Sequence, residues 1–465
     1  MFCSVLYLLH LQVFANWVLS VLQKTLTLVA GTSAGQVILL LATPVLSRIY
    51  SPSDFGQFAM LLALVAIVSP FSTLRYETAI LIKEKSHPPK SLLILSSAIL
   101  FAVTFLILLI SSPINSILPE LSERRSLSTL FALFVFINGL NLILVSWHSR
   151  FERFSVISAG RLLQAIGIVI GQITMAGAFG PLGLVYGYLI GLGLNGAQLM
   201  GVLISRDRGE VFQKVSLDKV FVAARKHSRF PLWLTWSSLL NGMVNQLPNL
   251  LFGKLFSASV AGNYMMATRV LRSPLSLIGQ SIYQVLAQYV GANVDKRTEV
   301  VQVLRKLMLN MANLSIVPFI GLALLLPSVV EIVLGAQWSE SGIYALIILP
   351  WLFTIFISWP LTGVFNAFGF QRKLLMFNIL FFIVIALAFL GAVFGVGVYG
   401  VLVFLSAAGS VTRVYYSVWI IGRLDRQLSL QMGRLVGVYT VIISVAAAVG
   451  LVREIPIGLG QVYIG

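Results

Sequence analysis

Twelve apolar runs, each close to the roughly twenty residues a helix needs to cross a bilayer, leave this chain few folds to adopt. They lie at about 26–48, 56–77, 91–112, 127–147, 155–179 and 182–204, and again at about 230–256, 261–290, 306–327, 341–365, 374–394 and 398–421. In hydrocarbon every backbone N–H and C=O must be satisfied within the protein, so runs of this length are helices. Two further hydrophobic segments, 4–22 and 435–452, read as extra elements, interfacial or spanning. The first lacks the basic start and small-residue cleavage site of a signal peptide. With 58% hydrophobic and 10% charged residues, the chain has too little polar surface for a soluble globular protein. The expectation is an all-α polytopic membrane protein. A single cysteine, Cys3, excludes a disulfide framework and a cysteine-based metal site.

A net charge of +17 would suggest nucleic acid in a soluble protein, but topology accounts for it. Counting spans alternately puts Lys24, Lys83, Lys85, Lys90, Arg150, Arg153, the 205–229 connection and the basic residues near 296–306, 372–373 and 423–434 on one side. That side holds 22 of the 32 basic residues, and the opposite side holds five: Arg48, Arg124, Arg125, Lys254 and Arg453. The positive-inside rule makes the rich side cytoplasmic, and no nucleic-acid partner is needed. The expected organisation is a hydrophobic N-terminal segment (1–23), an N-lobe of six helices (24–204), a charged cytoplasmic linker (205–229), a C-lobe of six helices (230–422) and a tail (423–465).

The two lobes are related. Tyr50–Phe58 (YSPSDFGQF) and Phe256–Tyr264 (FSASVAGNY) share an aromatic, two serines, a glycine, an amide and a second aromatic at one offset. A run of matches at constant offset marks an internal repeat. Glycine-rich turns at Phe179–Gly187 and Phe394–Gly400 add a weaker echo. Because each half has an even number of spans, the halves enter the membrane in the same direction. Such parallel repeats belong to transporters whose two lobes rock about a central cavity.

Five basic residues fall inside the spans: Arg75, Arg161, Arg269, Arg272 and Arg413. Arg75 and Arg161 lie near cytoplasmic ends and are able to snorkel, but the other three are deep. At about 2.5–3.5 kcal/mol each, three lipid-facing arginines would cost roughly 8–10 kcal/mol, as much as a whole fold's stability, so they face a wet interior. On the eighth span Arg269, Arg272, Ser276, Gln280 and Gln284 fall within about a third of the helix circumference. On the seventh, Ser237, Ser238, Asn241, Asn245 and Asn249 do the same. Guanidinium grips phosphate bidentately, and amides exchange hydrogen bonds with hydroxyls, so the lining suits a ligand carrying both phosphate and sugar. Amides of this kind also glue helices together. The equivalents of Arg269 and Arg272 in the first half are Ala63 and Ala66, so the cationic lining belongs mainly to the second lobe. Arg75 and Arg161 are candidates for the first lobe's share, where an anionic headgroup enters. Arg75 equally suits a structural lock with Glu77.

These residues carry a resemblance. LSRIYSPSDFGQFAMLLALVAIVSPFSTLRYETAI (46–80) resembles the first-hairpin signature of bacterial polysaccharide transporters, the O-antigen and oligosaccharide flippases of the multidrug/oligosaccharidyl-lipid/polysaccharide exporter superfamily. GNYMMATRVLRSPLSLIGQSIYQVL (262–286) is similar to their eighth span, and 155–193 to their fifth and sixth. The resemblance covers roughly 24–422. It implies twelve core helices in two six-helix lobes. It also implies movement of an undecaprenyl-pyrophosphate-linked saccharide from the cytoplasmic to the outer leaflet of the inner membrane, for assembly of O-antigen, capsule or exopolysaccharide. A polysaccharide polymerase and chain-length machinery are the protein partners it suggests, and a monomer is expected. No nucleotide-binding motif is present, so ATP is not the direct energy source. No carboxylate lies deep in a span, which leaves proton or sodium coupling open and names no cofactor. An enzyme acting on lipid-linked sugars needs a sizeable outer loop, and the longest here is about 113–126. A multidrug cation exporter would want an acidic or aromatic lining. A lipid-linked peptidoglycan precursor flippase stays open, because its cargo also bears pyrophosphate.

Overall fold

The computed structural model describes residues 31–82, 89–109, 127–211, 215–293, 295–362, 364, 368 and 370–454. The 4–22 segment and the 113–126 loop lie outside these. The described residues form helices and turns, with no strand among them. In chain order the helices are α1 (Gly31–Ile49), α2 (Pro52–Ser72), the one-turn α3 (Tyr76–Ala79), α4 (Pro89–Leu109), α5 (Leu127–Arg150), α6 (Phe154–Phe179), α7 (Gly183–Val211) and α8 (Leu217–Lys226). They continue with α9 (Thr235–Leu255), α10 (Ala258–Ala292), α11 (Arg297–Leu334), α12 (Ser339–Ser358), α13 (Gln371–Val393), α14 (Val398–Leu424) and α15 (Arg426–Glu454). Each of the twelve expected spans coincides with one of them. Among the described residues ten stretches are long and apolar enough to cross a membrane, one of them carrying both α6 and α7. This is a multi-pass membrane protein. The long helices missing from that set are α9 and α10, the two that carry the polar stripes.

The chain divides into two compact units. Unit 1 comprises residues 1–42 and 65–239, and unit 2 comprises residues 43–64 and 240–465.

In unit 1, α6 and α7 lie against each other through small residues. Gly167-x-x-x-Gly171 meets Gly187-x-x-x-Gly191 in antiparallel register. A Cβ on Gly171 would sit 2.7 Å from the Cα of Gly187, and one on Gly167 would sit 3.1 Å from the Cα of Gly191. Without hydrophobic drive inside a bilayer, such close backbone approach gives the van der Waals contact that holds helices together. At one end of this pair, Asp207 accepts from Trp147 Nε1 at 2.8 Å and from both terminal nitrogens of Arg153 at 2.6 Å. The bonds to Asp207 hold the Arg153 guanidinium even above its usual high pKa. Asp207→Ala would strand the cation and the indole N–H. We expect it to cost about 3 kcal/mol, read as a lower thermal midpoint in detergent, whereas the exposed Asp218→Ala stays near wild type. The connection between α7 and α9 is itself structured. In α8, Ala223 is buried while Leu217 and Phe221 are 72% and 73% exposed, beside Lys219, Arg225 and Lys226.

In unit 2, α12 is sheathed by its neighbours, with 94% of its apolar window buried. Its composition is apolar all round, as a fully enclosed helix requires. The 435–452 segment is part of α15, which buries Met432, Val436, Ile443 and Ala447 and donates from Tyr439 Oη to Asn313 Oδ1 at 2.9 Å.

Unit 2 also contains both copies of the repeated hairpin. Ser51 Oγ accepts from Asp54 N at 3.2 Å while Asp54 Oδ2 accepts from Ser51 N at 2.8 Å, a reciprocal cap that starts α2. Its counterpart Ser257 caps α10 by accepting from Val260 N at 3.2 Å. The repeated serine is therefore a helix start signal. The repeated glycine has a different task. A Cβ on Gly56 would overlap the carbonyl of Ala258, and a Cβ on Gly262 would overlap the carbonyl of Pro52. Pro52 and Ala258 are themselves equivalent, so each hairpin's glycine receives the other hairpin's first helical residue. That reciprocity is the signature of an isologous contact about a two-fold axis, here a pseudo-axis within one chain. Phe55 supports it edge-on against Trp338 at 5.3 Å, and Trp338 Nε1 donates to Ser47 O at 2.8 Å.

Candidate functional site

The cationic residues of unit 2 come from α10 and α14. Arg272 donates from Nη2 to Asn245 Oδ1 at 3.1 Å, and Asn245 Nδ2 donates in turn to the Asn241 carbonyl at 2.8 Å. This bond joins the polar stripe of α9 to that of α10. Further along α9, Asn249 Nδ2 donates to Gln246 Oε1 at 3.1 Å. Arg272 is exposed. Arg413 on α14 is half-buried, rests over the Tyr416 ring at 5.7 Å, and lies within electrostatic reach of Arg272. Tyr264 lies within electrostatic reach of Arg272. Among the described residues no carboxylate pairs with Arg272 or Arg413. The two cations thus lie within reach of each other, Arg272 against a neutral amide acceptor and Arg413 over an aromatic ring. Arg269 and Gln280 are half-buried on the same helix. The Gln284 side chain lies outside the described residues.

Arg75 and Arg161 are both in unit 1, in different settings. Arg75 and Leu74 adopt left-handed backbone conformations, φ 61° and 49°, at the break between α2 and α3. Non-glycine residues hold that conformation only where the surroundings impose it, at about 1–3 kcal/mol each. Here the imposing contacts are an ion pair from Arg75 Nη1 to Glu77 Oε1 at 3.2 Å and a bond from Nε to Ser238 Oγ at 2.9 Å. Glu77 is buried, and its second oxygen accepts from Thr73. This is the geometry of a lock. Arg161 instead faces a cavity of its own, described below.

Aromatic neighbours of the cations were not legible in advance. Tyr416 lies three residues after Arg413, a helical spacing that offered the signal, whereas Tyr264 lies eight residues before Arg272.

The fold is that of a multi-pass helical membrane protein. The structure of the lipid II flippase MurJ in an inward closed conformation matches with a TM-score of 0.67 at 11% identity, over 92% of this chain and 99% of that one. An inward-facing multidrug resistance MATE family transporter of the MOP superfamily matches with a TM-score of 0.61 at 15% identity, over 84% and 94%. At these identities the likeness establishes the fold, that of MOP-superfamily transporters. Residues 45–343 match the family described as polysaccharide biosynthesis protein, and the chain belongs to that family. It is 24% identical over 333 residues to the lipopolysaccharide biosynthesis protein WzxC of Escherichia coli (strain K12), a match covering 69% of this chain and 65% of that protein.

Proposed function

We propose that the protein is a flippase that carries a polyprenyl-pyrophosphate-linked oligosaccharide from the cytoplasmic to the outer leaflet, for assembly of a cell-surface polysaccharide. The observation that carries this reading is the Arg272–Asn245–Asn241 chain with Arg413 nearby and, among the described residues, no carboxylate to neutralise either cation. Pyrophosphate supplies the missing negative charge, and the amides of α9 are suited to the hydroxyls of the attached sugars. The polyprenyl tail stays in lipid, so the protein replaces only the hydration of the headgroup. Alternating access then exposes the loaded lining to one leaflet and the other in turn. Family membership supports a polysaccharide pathway. A polymerase and chain-length machinery are the expected recipients of the product. A cationic drug is a poor fit to the same lining, because Arg269, Arg272 and Arg413 would repel it.

The test is retention of ligand by the purified protein in native mass spectrometry. Polyprenyl-diphosphate oligosaccharide should be held in preference to the same polyprenol as a monophosphate, and to a cationic dye. Preference for the dye, or none between the two lipids, would remove the pyrophosphate from the account.

A further inference from the structure

Unit 1 contains an open cavity of about 350 Å³ whose polar wall is built by Thr32 and Gln36 of α1, Ser149 of α5, and Arg161 and Gln164 of α6. Tight contact makes this wall fixed: a Cβ on Gly31 would collide with Ser158, and one on Gly35 would lie 3.3 Å from the carbonyl of Arg161. The Arg161 guanidinium donates to Gln164 Oε1 at 3.3 Å, and Tyr188 is its other electrostatic neighbour. Among the described residues no carboxylate pairs with it. Gln164 Oε1 also accepts from Asn195 Nδ2 at 3.2 Å. With its oxygen engaged twice, what Gln164 has left to offer is its amide NH₂, a donor. The cavity thus combines a fixed cation, an amide donor and hydroxyls, with no acid among the described residues to balance them.

An uncompensated guanidinium in a membrane protein's interior is costly, and a bound anion is the direct way to offset it. At about 30 Å³ per water, the cavity has the room of roughly ten waters. That is ample for a phosphate group held by a bidentate guanidinium. Arg161 lies about 10 Å along α6 from its first residue, near the depth where hydrocarbon gives way to headgroups.

We propose that this cavity is a binding site for a phosphate group, separate from the cationic lining of unit 2 and supplied either by the headgroup of an anionic lipid or by free phosphate. The proposed function is argued from Arg272, Arg413 and the amides of α9; Arg161, which the sequence offered as a headgroup contact, does not enter that argument, so each stands or falls alone. The test uses the full chain in nanodiscs of phosphatidylcholine. Thermal midpoints are recorded while inorganic phosphate is titrated in one arm and phosphatidic acid is incorporated in another, for wild type, Arg161→Gln and Ser149→Ala. The proposal expects a saturable rise in midpoint for wild type, with the half-saturating concentration at least about tenfold higher in Arg161→Gln. A response to phosphatidic acid alone assigns the site to lipid, and a response to both or to phosphate alone assigns it to the free anion. Should Arg161→Gln not fold, Ser149→Ala must show the weakened saturation in its place. No response in wild type to either probe, or responses equal in all three proteins, would overturn the site.

Discussion

Replacing Gly262 with valine is expected to abolish transport while leaving membrane insertion intact. The atoms it would strike are backbone: the Pro52 carbonyl, and the amide nitrogen of Gly56, which lies 2.9 Å from the position of an added Cβ. Backbone in the first turn of a capped helix does not swing aside, so the two hairpins must separate. Overpacking of this kind costs about 1–3 kcal/mol. That is small against the fold but large against a conformational equilibrium, where it moves the ratio of two states by about 5- to 150-fold. Gly56→Val should do the same through Ala258, because the contact is reciprocal. Spin labels at Ser53 and Ser259 would report it as a shift toward longer separations in both variants. Unchanged separation together with normal transport would show that the glycine contact is incidental.

The second large effect concerns the cations. Arg272→Gln should lower transport by about 10- to 150-fold, the worth of a charge-assisted hydrogen bond, and Arg413→Gln should behave alike. Stability should move the other way or not at all. Removing one of two mutually repelling cations relieves the fold, and glutamine still donates to Asn245. A residue that only held helices together would instead lose transport in proportion to folded protein. Comparing thermal midpoint with transport per folded molecule separates the two cases.

Much of this site was written in the sequence because helices convert spacing into direction. Arg269 and Arg272 share a face with Ser276 and Gln280 by period alone, and the amides of α9 repeat at every fourth residue from Asn241 to Asn249. The same polar content is what keeps α9 and α10 from the hydropathy of the other spans. Arg413 was legible as a deep cation but not as a neighbour of Arg272, since nearness across helices depends on packing that no local period encodes. The repeated glycine was visible as a match. Its purpose was not, because a close backbone approach is a property of two segments about two hundred residues apart. Arg75 shows the opposite limit. Its pairing with Glu77 was one of two readings open from sequence, and the contacts to Ser238 and the left-handed backbone describe a lock. The basic 205–229 connection read as a linker, and within it α8 places Leu217 and Phe221 outward, a pattern hidden by its high charge.

The most direct measurement is translocation in proteoliposomes. Polyprenyl-diphosphate oligosaccharide is placed in both leaflets, and outer-leaflet sugar is followed with an impermeant glycosidase. The account predicts that wild type exposes the protected half, that an Arg269→Ala/Arg272→Ala protein exposes it far more slowly, and that both reconstitute equally. If wild type leaves the inner half protected with and without an imposed proton or sodium gradient, or if the double variant keeps pace with it, the cationic lining of α10 does not carry this cargo.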